Sequence, residues 1–364
     1  MVELSIVVPT FNEIDNVVEL IRGVDRCLEG VAWELIFVDD NSPDGTAERV
    51  REIARTDPRV RGIQRIGRRG LASACIEGML SSSAPYLAVM DADLQHDESL
   101  LLDMLRILRQ GDTDIVVGSR YMEGGGIGRW DKSRAQYSRF ATRLSRMVLK
   151  ADLSDPMSGF FMMRHDAMLR CVKAGVSGIG FKILVDLFAS SPQPLRFREA
   201  PYQFRERFAG TSKLDTTVAW EYLMLLLDKL IGHIVPARFI AFSLVGGLGV
   251  LMHLAVLSTL YRGFSASFLA SQTAATLVAM TSNFLMNNFL TYRDMRLTGW
   301  GLLRGWISFV LACSIGAMAN VGVAAYLYQH QTFWITSAIA GVLVGTVWNY
   351  AVTAVYTWRK PQPA

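Results

Sequence analysis

The feature that most limits what this chain can become lies in its last third. Beyond Arg238 it runs through four apolar stretches, Phe239–Leu260, Phe268–Leu290, Trp306–Tyr326 and Phe333–Tyr356, separated by short polar loops. Each approaches the roughly 20 residues a helix needs to cross a bilayer. Arg238, then Arg293, Arg296 and Arg304, then Arg359 and Lys360 fall on one side of these spans, whereas the other two loops offer chiefly Arg262. Positive loops stay in the cytoplasm. An integral, multi-pass membrane protein is therefore expected, with everything before Arg238 on the cytoplasmic side. Asn283, Asn287, Asn288, Asn320 and Asn349 interrupt the spans and are expected to join helices by hydrogen bonds.

The chain before Arg238 has the opposite character, dense in charge, so the 364 residues suit a soluble domain followed by a membrane domain. The net charge of +4 is modest and the basic residues crowd into particular segments. That pattern points to anionic lipid or phosphate and away from nucleic acid. Cys27, Cys75, Cys171 and Cys313 lack metal spacing and fit a reduced catalytic portion. No basic segment leads into a long apolar stretch at the N-terminus, so no cleavable signal peptide is expected.

Leu4–Pro9 is an apolar run closed by proline, and Glu13–Cys27 follows with Ile14, Val17, Val18, Ile21 and Val24 at helical spacing. Glu34–Val38 is the next run. After it, Asp39 to Thr46 turns and caps a helix over Ala47–Ile53. Val60–Ile63, Gly70–Ser81, Tyr86–Val89 and Leu100–Arg109 continue as strand, helix, strand and helix. This alternation predicts a parallel, doubly wound sheet, in which ligands sit beyond the carboxyl ends of the strands. Pro9-Thr10-Phe11-Asn12-Glu13, Asp39-Asp40 and Asp91-Ala92-Asp93 each follow a strand and converge on one crevice.

Met90-Asp91-Ala92-Asp93-Leu94-Gln95-His96 carries the most chemistry. A buried strand ending in two carboxylates one residue apart places both at its carboxyl edge, together with the Gln95 amide. Oxygen ligands suit Mg2+ or Mn2+, which keep positions open for phosphates. Asp91, Asp93 and Gln95 therefore read as the clamp of a metal-bound diphosphate. Such a pair alone is as well explained by a solvated acidic turn; the convergence of three clusters favours chemistry.

Val7-Val8-Pro9-Thr10-Phe11-Asn12-Glu13, Val38 to Thr46, Asp91-Ala92-Asp93-Leu94-Gln95-His96 and Gly118-Ser119-Arg120-Tyr121 together resemble the inverting family 2 glycosyltransferases. Within these the match is to the dolichol-phosphate mannose synthase group, which Ser158-Gly159-Phe160 and Gly210-Thr211-Ser212-Lys213-Leu214 also fit. Phe11 stands where the family often has tyrosine, which keeps a stacking face and loses a hydroxyl. The resemblance implies an α/β, GT-A-type Rossmann-like nucleotide-sugar-binding domain over 1–215. It implies that Pro9, Phe11, Glu13, Val38, Asp40, Asp91, Ala92 and Asp93 hold the donor nucleotide, and that Asp91, Asp93 and Gln95 hold the metal. Arg120, Arg134, Ser138, Arg207 and Lys213 match the acceptor lipid-phosphate site, and Asp91, Asp93 and Arg120 are the catalytic candidates. Arg68 and Arg69 read as donor-phosphate contacts or, preferably, as a solvated loop. Residues 237–358 resemble the GtrA-like four-helix all-α transmembrane domain.

Three segments bear on the acceptor. Gly124-Gly125-Gly126 reads as a mobile loop. From Arg134 to Lys150, Arg139, Arg143, Arg146 and Lys150 share a face mostly opposite Phe140, Leu144, Met147 and Val148. Such a helix suits an anionic membrane surface or packs on the soluble sheet. Thr216–Ile234, within a juxtamembrane linker over 216–236, carries Trp220, Tyr222, Leu223, Leu226, Leu227, Leu230 and Ile231 and reads as interfacial, with packing on the soluble sheet as the alternative.

The implied activity is transfer of mannose from GDP-mannose to a polyprenyl (dolichyl-type) phosphate with inversion. A UDP-glucose donor and a non-catalytic lipid-linked sugar flippase are the alternatives. A processive polysaccharide synthase is disfavoured, because Gln136-x-x-Arg139-Phe140 lacks the tryptophan of that acceptor motif and follows Asp93 too soon. A nucleotide-regulated scaffold would bind a nucleotide sugar without turnover.

Overall fold

The computed structural model describes residues 2–126, 149, 151–178, 182–205, 222, 224–228, 235–330 and 333–358. The chain divides into two compact units, Met1–Leu230 and Ile231–Ala364.

In the first unit, β1 (Leu4–Thr10), β2 (Trp33–Asp39), β3 (Val60–Gln64), β4 (Tyr86–Val89), β5 (Ile115–Ser119), β6 (Phe161–Arg164) and β7 (Phe197–Pro201) form one sheet, ordered β3-β2-β1-β4-β6-β5-β7. The helices are α1 (Val17–Cys27), α2 (Thr46–Ala54), α3 (Leu71–Leu80), α4 (Leu100–Arg109), α5 (His165–Lys173) and α6 (Ile183–Ser190). β3, β2, β1 and β4 are parallel, as the strand–helix alternation predicts. The sheet as a whole is mixed, because β6 runs antiparallel to both β4 and β5. A short crossover helix would force a parallel return. β6 follows a long segment after β5 instead, so the alternation rule does not reach it.

β1 sends Val7 to one face of the sheet and Ile6 and Val8 to the other. α3, α5 and α6 cover the first face with Cys75, Met79, Met168 and Leu187. α1 and α4 cover the second with Leu20, Val24, Leu101, Met104, Leu105 and Leu108. Strands buried on both faces read as unbroken apolar runs, which is why the sequence located them well. Each fully buried leucine of α4 contributes roughly 1.5–3 kcal/mol.

Tyr222, Leu225 and Leu226 are buried in the Val7-side core. Part of the apolar surface expected to lie on a membrane is therefore spent covering the sheet, and the first compact unit runs beyond residue 215. A broad apolar helical face meets either need, and burial against a sheet removes it from water just as completely. The basic segment Arg134–Lys150 lies outside the described residues except for Leu149, which joins the same core. Gly210–Leu214 lies outside them entirely.

The second unit holds α7 (Ala237–Ser258), α8 (Phe268–Met286), α9 (Trp300–Gln329) and α10 (Trp334–Tyr356), so the expected four helices are present. Ala237–Gly263, Trp300–Gln329 and Ile339–Tyr356 are long and apolar enough to cross a membrane. α8 is more polar, diluted by Gln272, Thr273, Thr276, Ser282 and Asn283.

These helices form a hairpin used twice. Ile240, Phe242, Leu244, Gly249, Val256, Leu260 and Tyr261 recur at one constant interval as Ile307, Phe309, Leu311, Gly316, Val323, Leu327 and Tyr328. Asn283, Phe284, Thr291 and Tyr292 recur likewise as Asn349, Tyr350, Thr357 and Trp358. The packing repeats with the sequence. Phe242 meets Tyr350 edge-on at 5.8 Å, and its counterpart pair Phe309 and Phe284 meets at 5.7 Å. Tyr292 and Trp358, the equivalent ends of the two hairpins, stack at 4.1 Å with 5° between planes. In each hairpin an asparagine amide lies against a glycine: Asn283 on Gly249 and Asn349 on Gly316, where a Cβ would collide. The Oδ1 atoms of Asn283 and Asn349 make no hydrogen bond, contrary to the expectation that these residues bond across helices. Close packing on a bare Cα replaces that bond. Asn288 follows the expectation: it exchanges hydrogen bonds with the Leu297 backbone at 3.1 and 2.8 Å and accepts one from the Trp358 indole at 3.1 Å.

Candidate active site

The parallel register brings the strand ends level. Pro9 lies opposite Val38, Thr10 opposite Asp39, and Val7 opposite Val89, so the turns after β1, β2 and β4 leave one edge of the sheet together. Each contains a non-glycine residue in left-handed backbone: Asn12, Asn41 and Leu94. Such residues hold strain that only surrounding contacts sustain, and they gather where function requires a fixed backbone.

The first two turns are stitched to each other. Ser42 Oγ accepts from the Asn12 amide at 2.9 Å, Thr46 Oγ1 from the Glu13 amide at 3.0 Å, and Asp44 from the Ile14 amide at 3.2 Å. The Asp39 carboxylate accepts from the Ser42 amide and hydroxyl at 2.8 and 2.5 Å and serves its own turn. Asp40 faces inward, where its carboxylate accepts from the Gly70 amide at 2.7 Å and pairs with Arg65 at 3.2 Å. Burial raises the Asp40 pKa, opposed by the Gly70 hydrogen bond and Arg65. Gly70 has a φ of +139°, which a side chain would strain. Val38 and Ala92 are buried, while Pro9, Phe11 and Glu13 are half-buried at the rim. The Arg69 guanidinium lies 4.6 Å from the Phe11 ring centroid, so this arginine packs on the first turn and is not merely solvated. Arg68 pairs with Glu77 at 3.0 Å.

In the third turn the Gln95 amide nitrogen donates to Asp93 Oδ1 at 3.2 Å. The Gln95 side-chain amide donates to the Arg205 carbonyl at 3.1 Å, and the Arg205 amide donates back to the Gln95 carbonyl at 2.9 Å. Asp93 and Gln95 are buried, while the Asp91 side chain is 37% exposed. A Cβ on Gly159 would stand 3.3 Å from Asp91 Oδ2, so the glycine keeps that flank clear. Among the described residues no three His, Cys, Asp or Glu side chains gather as a metal cluster. A cation at this turn would rest on two carboxylates, the Gln95 amide oxygen and donor phosphates, an all-oxygen set that fits Mg2+ or Mn2+.

Beside the turn, Arg120 is buried and clamped by Asp155, with Nε to Oδ2 at 2.7 Å and Nη2 to Oδ1 at 2.8 Å. Its ring neighbours are Phe204 and Tyr121 at 5.4 and 5.7 Å. Burial works against its charge, but the Asp155 hydrogen bonds outweigh that and its pKa is raised. The glycine run is held rather than loose. The Gly126 amide donates to the Tyr202 carbonyl at 3.1 Å, and the Phe204 amide donates to the Gly126 carbonyl at 2.9 Å. A Cβ on Gly125 would lie 2.9 Å from the Ser119 carbonyl oxygen, so close approach, not mobility, explains a glycine there. Arg134, Ser138, Arg207 and Lys213 lie outside the described residues.

Sequence reasoning missed Asp155, Tyr202, Phe204 and Arg205, which surround the turn from distant segments and carry no local pattern. His96 and Gly159 stand within recognisable motifs, whose pattern alone assigns neither a role. His96 is buried, stacked on Phe160 at 5.0 Å, and burial pushes its pKa down to about 4.

Residues 5–170 match Glycosyl transferase family 2, and residues 241–358 match the GtrA/DPMS transmembrane domain. The chain is a glycosyltransferase and carries a transmembrane domain. Dolichol-phosphate mannosyltransferase of Pyrococcus furiosus is 32% identical over 362 residues, covering 98% of this chain and 99% of that one. Dolichol-phosphate mannosyltransferase of Saccharomyces cerevisiae is 36% identical over 239 residues, covering 62% of this chain and 86% of that one. Similarity along nearly its whole length means that the chain belongs to the dolichol-phosphate mannosyltransferase family. A solved structure of glucosyl-3-phosphoglycerate synthase from Mycobacterium tuberculosis, with Mn2+, UDP and glucosyl-3-phosphoglycerate, is similar over 62% of this chain and 79% of that one, at 15% identity and a TM-score of 0.46.

Proposed function

We propose that this protein transfers mannose from GDP-mannose to the phosphate of a polyprenyl (dolichyl-type) phosphate at the cytoplasmic membrane face, inverting the anomeric carbon. The convergence of the Phe11, Asp40 and Asp91–Gln95 turns on one sheet edge carries this reading, in a chain related end to end to a dolichol-phosphate mannosyltransferase.

On the donor side, Pro9, Phe11 and Arg69 offer flat surfaces to a base, and Val38 and Ala92 close the floor. Carboxylates at Glu13 and Asp40 favour guanine, which presents two kinds of N–H on one edge, over uracil, which presents one. Asp91, Asp93 and Gln95 would hold Mg2+ or Mn2+. When bound, the cation supplies the positive charge that neutralises the donor diphosphate and stabilises the departing nucleoside diphosphate.

The acceptor phosphate carries about −1.5 to −2 charge near pH 7, so its oxygen needs no strong general base to attack the sugar. Catalysis is then mainly positioning and charge neutralisation. Arg120, oriented by Asp155, together with Arg134, Ser138, Arg207 and Lys213, orients that phosphate on the face of the sugar opposite the leaving group. Positive loops support the cytoplasmic placement.

The test is purified protein with a short polyprenyl phosphate and a panel of GDP- and UDP-sugars, each with Mn2+ or chelator. GDP-mannose with Mn2+ is expected to give the fastest lipid product. Equal or faster turnover of UDP-glucose would reassign the donor, and full activity in chelator would remove the metal.

A further inference from the structure

His96 closes the acidic turn on itself. Its Nδ1 accepts a hydrogen bond from the backbone amide of Asp91, five residues earlier, at 3.1 Å. A ring nitrogen that accepts carries no proton, so the imidazole proton sits on Nε2. Nε2 lies 3.7 Å from Asp91 Oδ2, beyond a direct hydrogen bond, so one ring nitrogen holds the backbone of Asp91 and the other stands near its carboxylate. The ring cannot leave this position easily. Phe160 lies parallel to it at 5.0 Å, and Tyr202 and Phe204 stand edge-on at 5.7 and 5.8 Å. Two of those three rings belong to the 202–205 strap that also grips Gln95 through Arg205.

We propose that His96 is a positioning residue, which fixes the Asp91 backbone amide through its Nδ1 and keeps its Nε2–H beside the Asp91 carboxylate, and so sets that carboxylate for a divalent cation. This rests on the reading of Asp91 and Asp93 as metal ligands. At 2% side-chain exposure, inside an aromatic box, His96 takes no part as a ligand or as an acid or base. It acts as an outer partner of a ligating group, and loss of such partners typically lowers metal affinity about 10–100-fold.

The test measures Mn2+ binding directly, by the loss of the free Mn2+ paramagnetic resonance signal on titration into the purified full-length protein with GDP present. Melting temperatures are recorded in parallel. Asp93→Asn is the reference and should abolish GDP-dependent binding. His96→Phe keeps the stacking surface but neither nitrogen, and should weaken Mn2+ binding about tenfold or more. His96→Asn restores an acceptor near Nδ1 and His96→Gln a donor near Nε2, so each should recover part of the loss. His96→Phe binding as tightly as wild type overturns the proposal, as does equal weakness in all three variants in step with lower melting temperatures. If His96→Phe does not fold, the other two carry the test: binding weakened about three- to tenfold at unchanged melting temperature supports the role, and wild-type affinity overturns it. Wild type that binds no Mn2+ with GDP, or Asp93→Asn that binds like wild type, overturns the metal assignment itself and this inference with it.

Discussion

Asp155→Asn probes the least exposed charge beside the site. Asp155 is fully buried and its carboxylate takes the Arg120 amide, Nε and Nη2. Asparagine keeps the shape and one acceptor but removes the charge, which leaves a buried guanidinium uncompensated. Breaking a buried pair in this way costs about 3–5 kcal/mol. In a domain of this size 1 kcal/mol moves the melting temperature by roughly 2–4 °C, so the variant should melt roughly 6–20 °C lower. Thermal melts of the full-length protein in detergent, at low and high salt, make the measurement. A buried pair is weakly screened, so salt should not shrink the difference. Replacing both partners by apolar residues, Arg120→Met with Asp155→Leu, should recover most of the stability while leaving acceptor use impaired. A loss under about 1 kcal/mol in the single variant, or a double variant as unstable as the single one, would refute this account of the pair.

Phe11→Ala removes the ring under Arg69 and should weaken GDP binding about tenfold by calorimetry, in line with 1–3 kcal/mol for a stacking side chain. Gly249→Ala and Gly316→Ala place a methyl against Asn283 and Asn349, and as equivalent positions of a repeated hairpin they should cost similar amounts, about 1–3 kcal/mol each by thermal melt. Arg134→Ala should raise the KM for polyprenyl phosphate more than that for GDP-mannose, and the reverse would move Arg134 to the donor. A chain ending after Ile234 should still transfer to a short detergent-dispersed polyprenyl phosphate and do worse with long lipid in bilayers; complete loss from a folded truncation that still binds GDP would put part of the acceptor site in the membrane helices.

What the sequence revealed depended on how local the physics is. β1 to β4 were legible because each is a short apolar run ended by a polar turn, and the three turns announced the site because parallel order alone makes them converge. β6 was not, since its direction is set by a long excursion rather than by its four residues. The pairing of the glycine run was hidden for the same reason: nothing in Gly124–Gly126 announces that Tyr202 and Phe204 arrive to bond with Gly126. Tyr222, Leu225 and Leu226 suited membrane and sheet alike, and only the fold decided. Asp155 had no signature, since an isolated aspartate says nothing about burial. The repeated hairpin was present in Gly249 and Gly316, Asn283 and Asn349, but the pattern is diluted by lipid-facing residues that any apolar side chain satisfies.

The most direct test of the central claim identifies both products of one reaction. Purified protein, GDP-mannose, Mn2+ and polyprenyl phosphate are incubated, the nucleotide is resolved by chromatography, and the lipid is analysed by mass spectrometry and by the anomeric coupling in its NMR spectrum. Attack by the lipid phosphate on the sugar carbon predicts one GDP released per lipid consumed and a mannosyl monophosphate lipid with the β configuration. Release of GMP with a diphosphate-linked lipid, or an α-linked monophosphate, would contradict it.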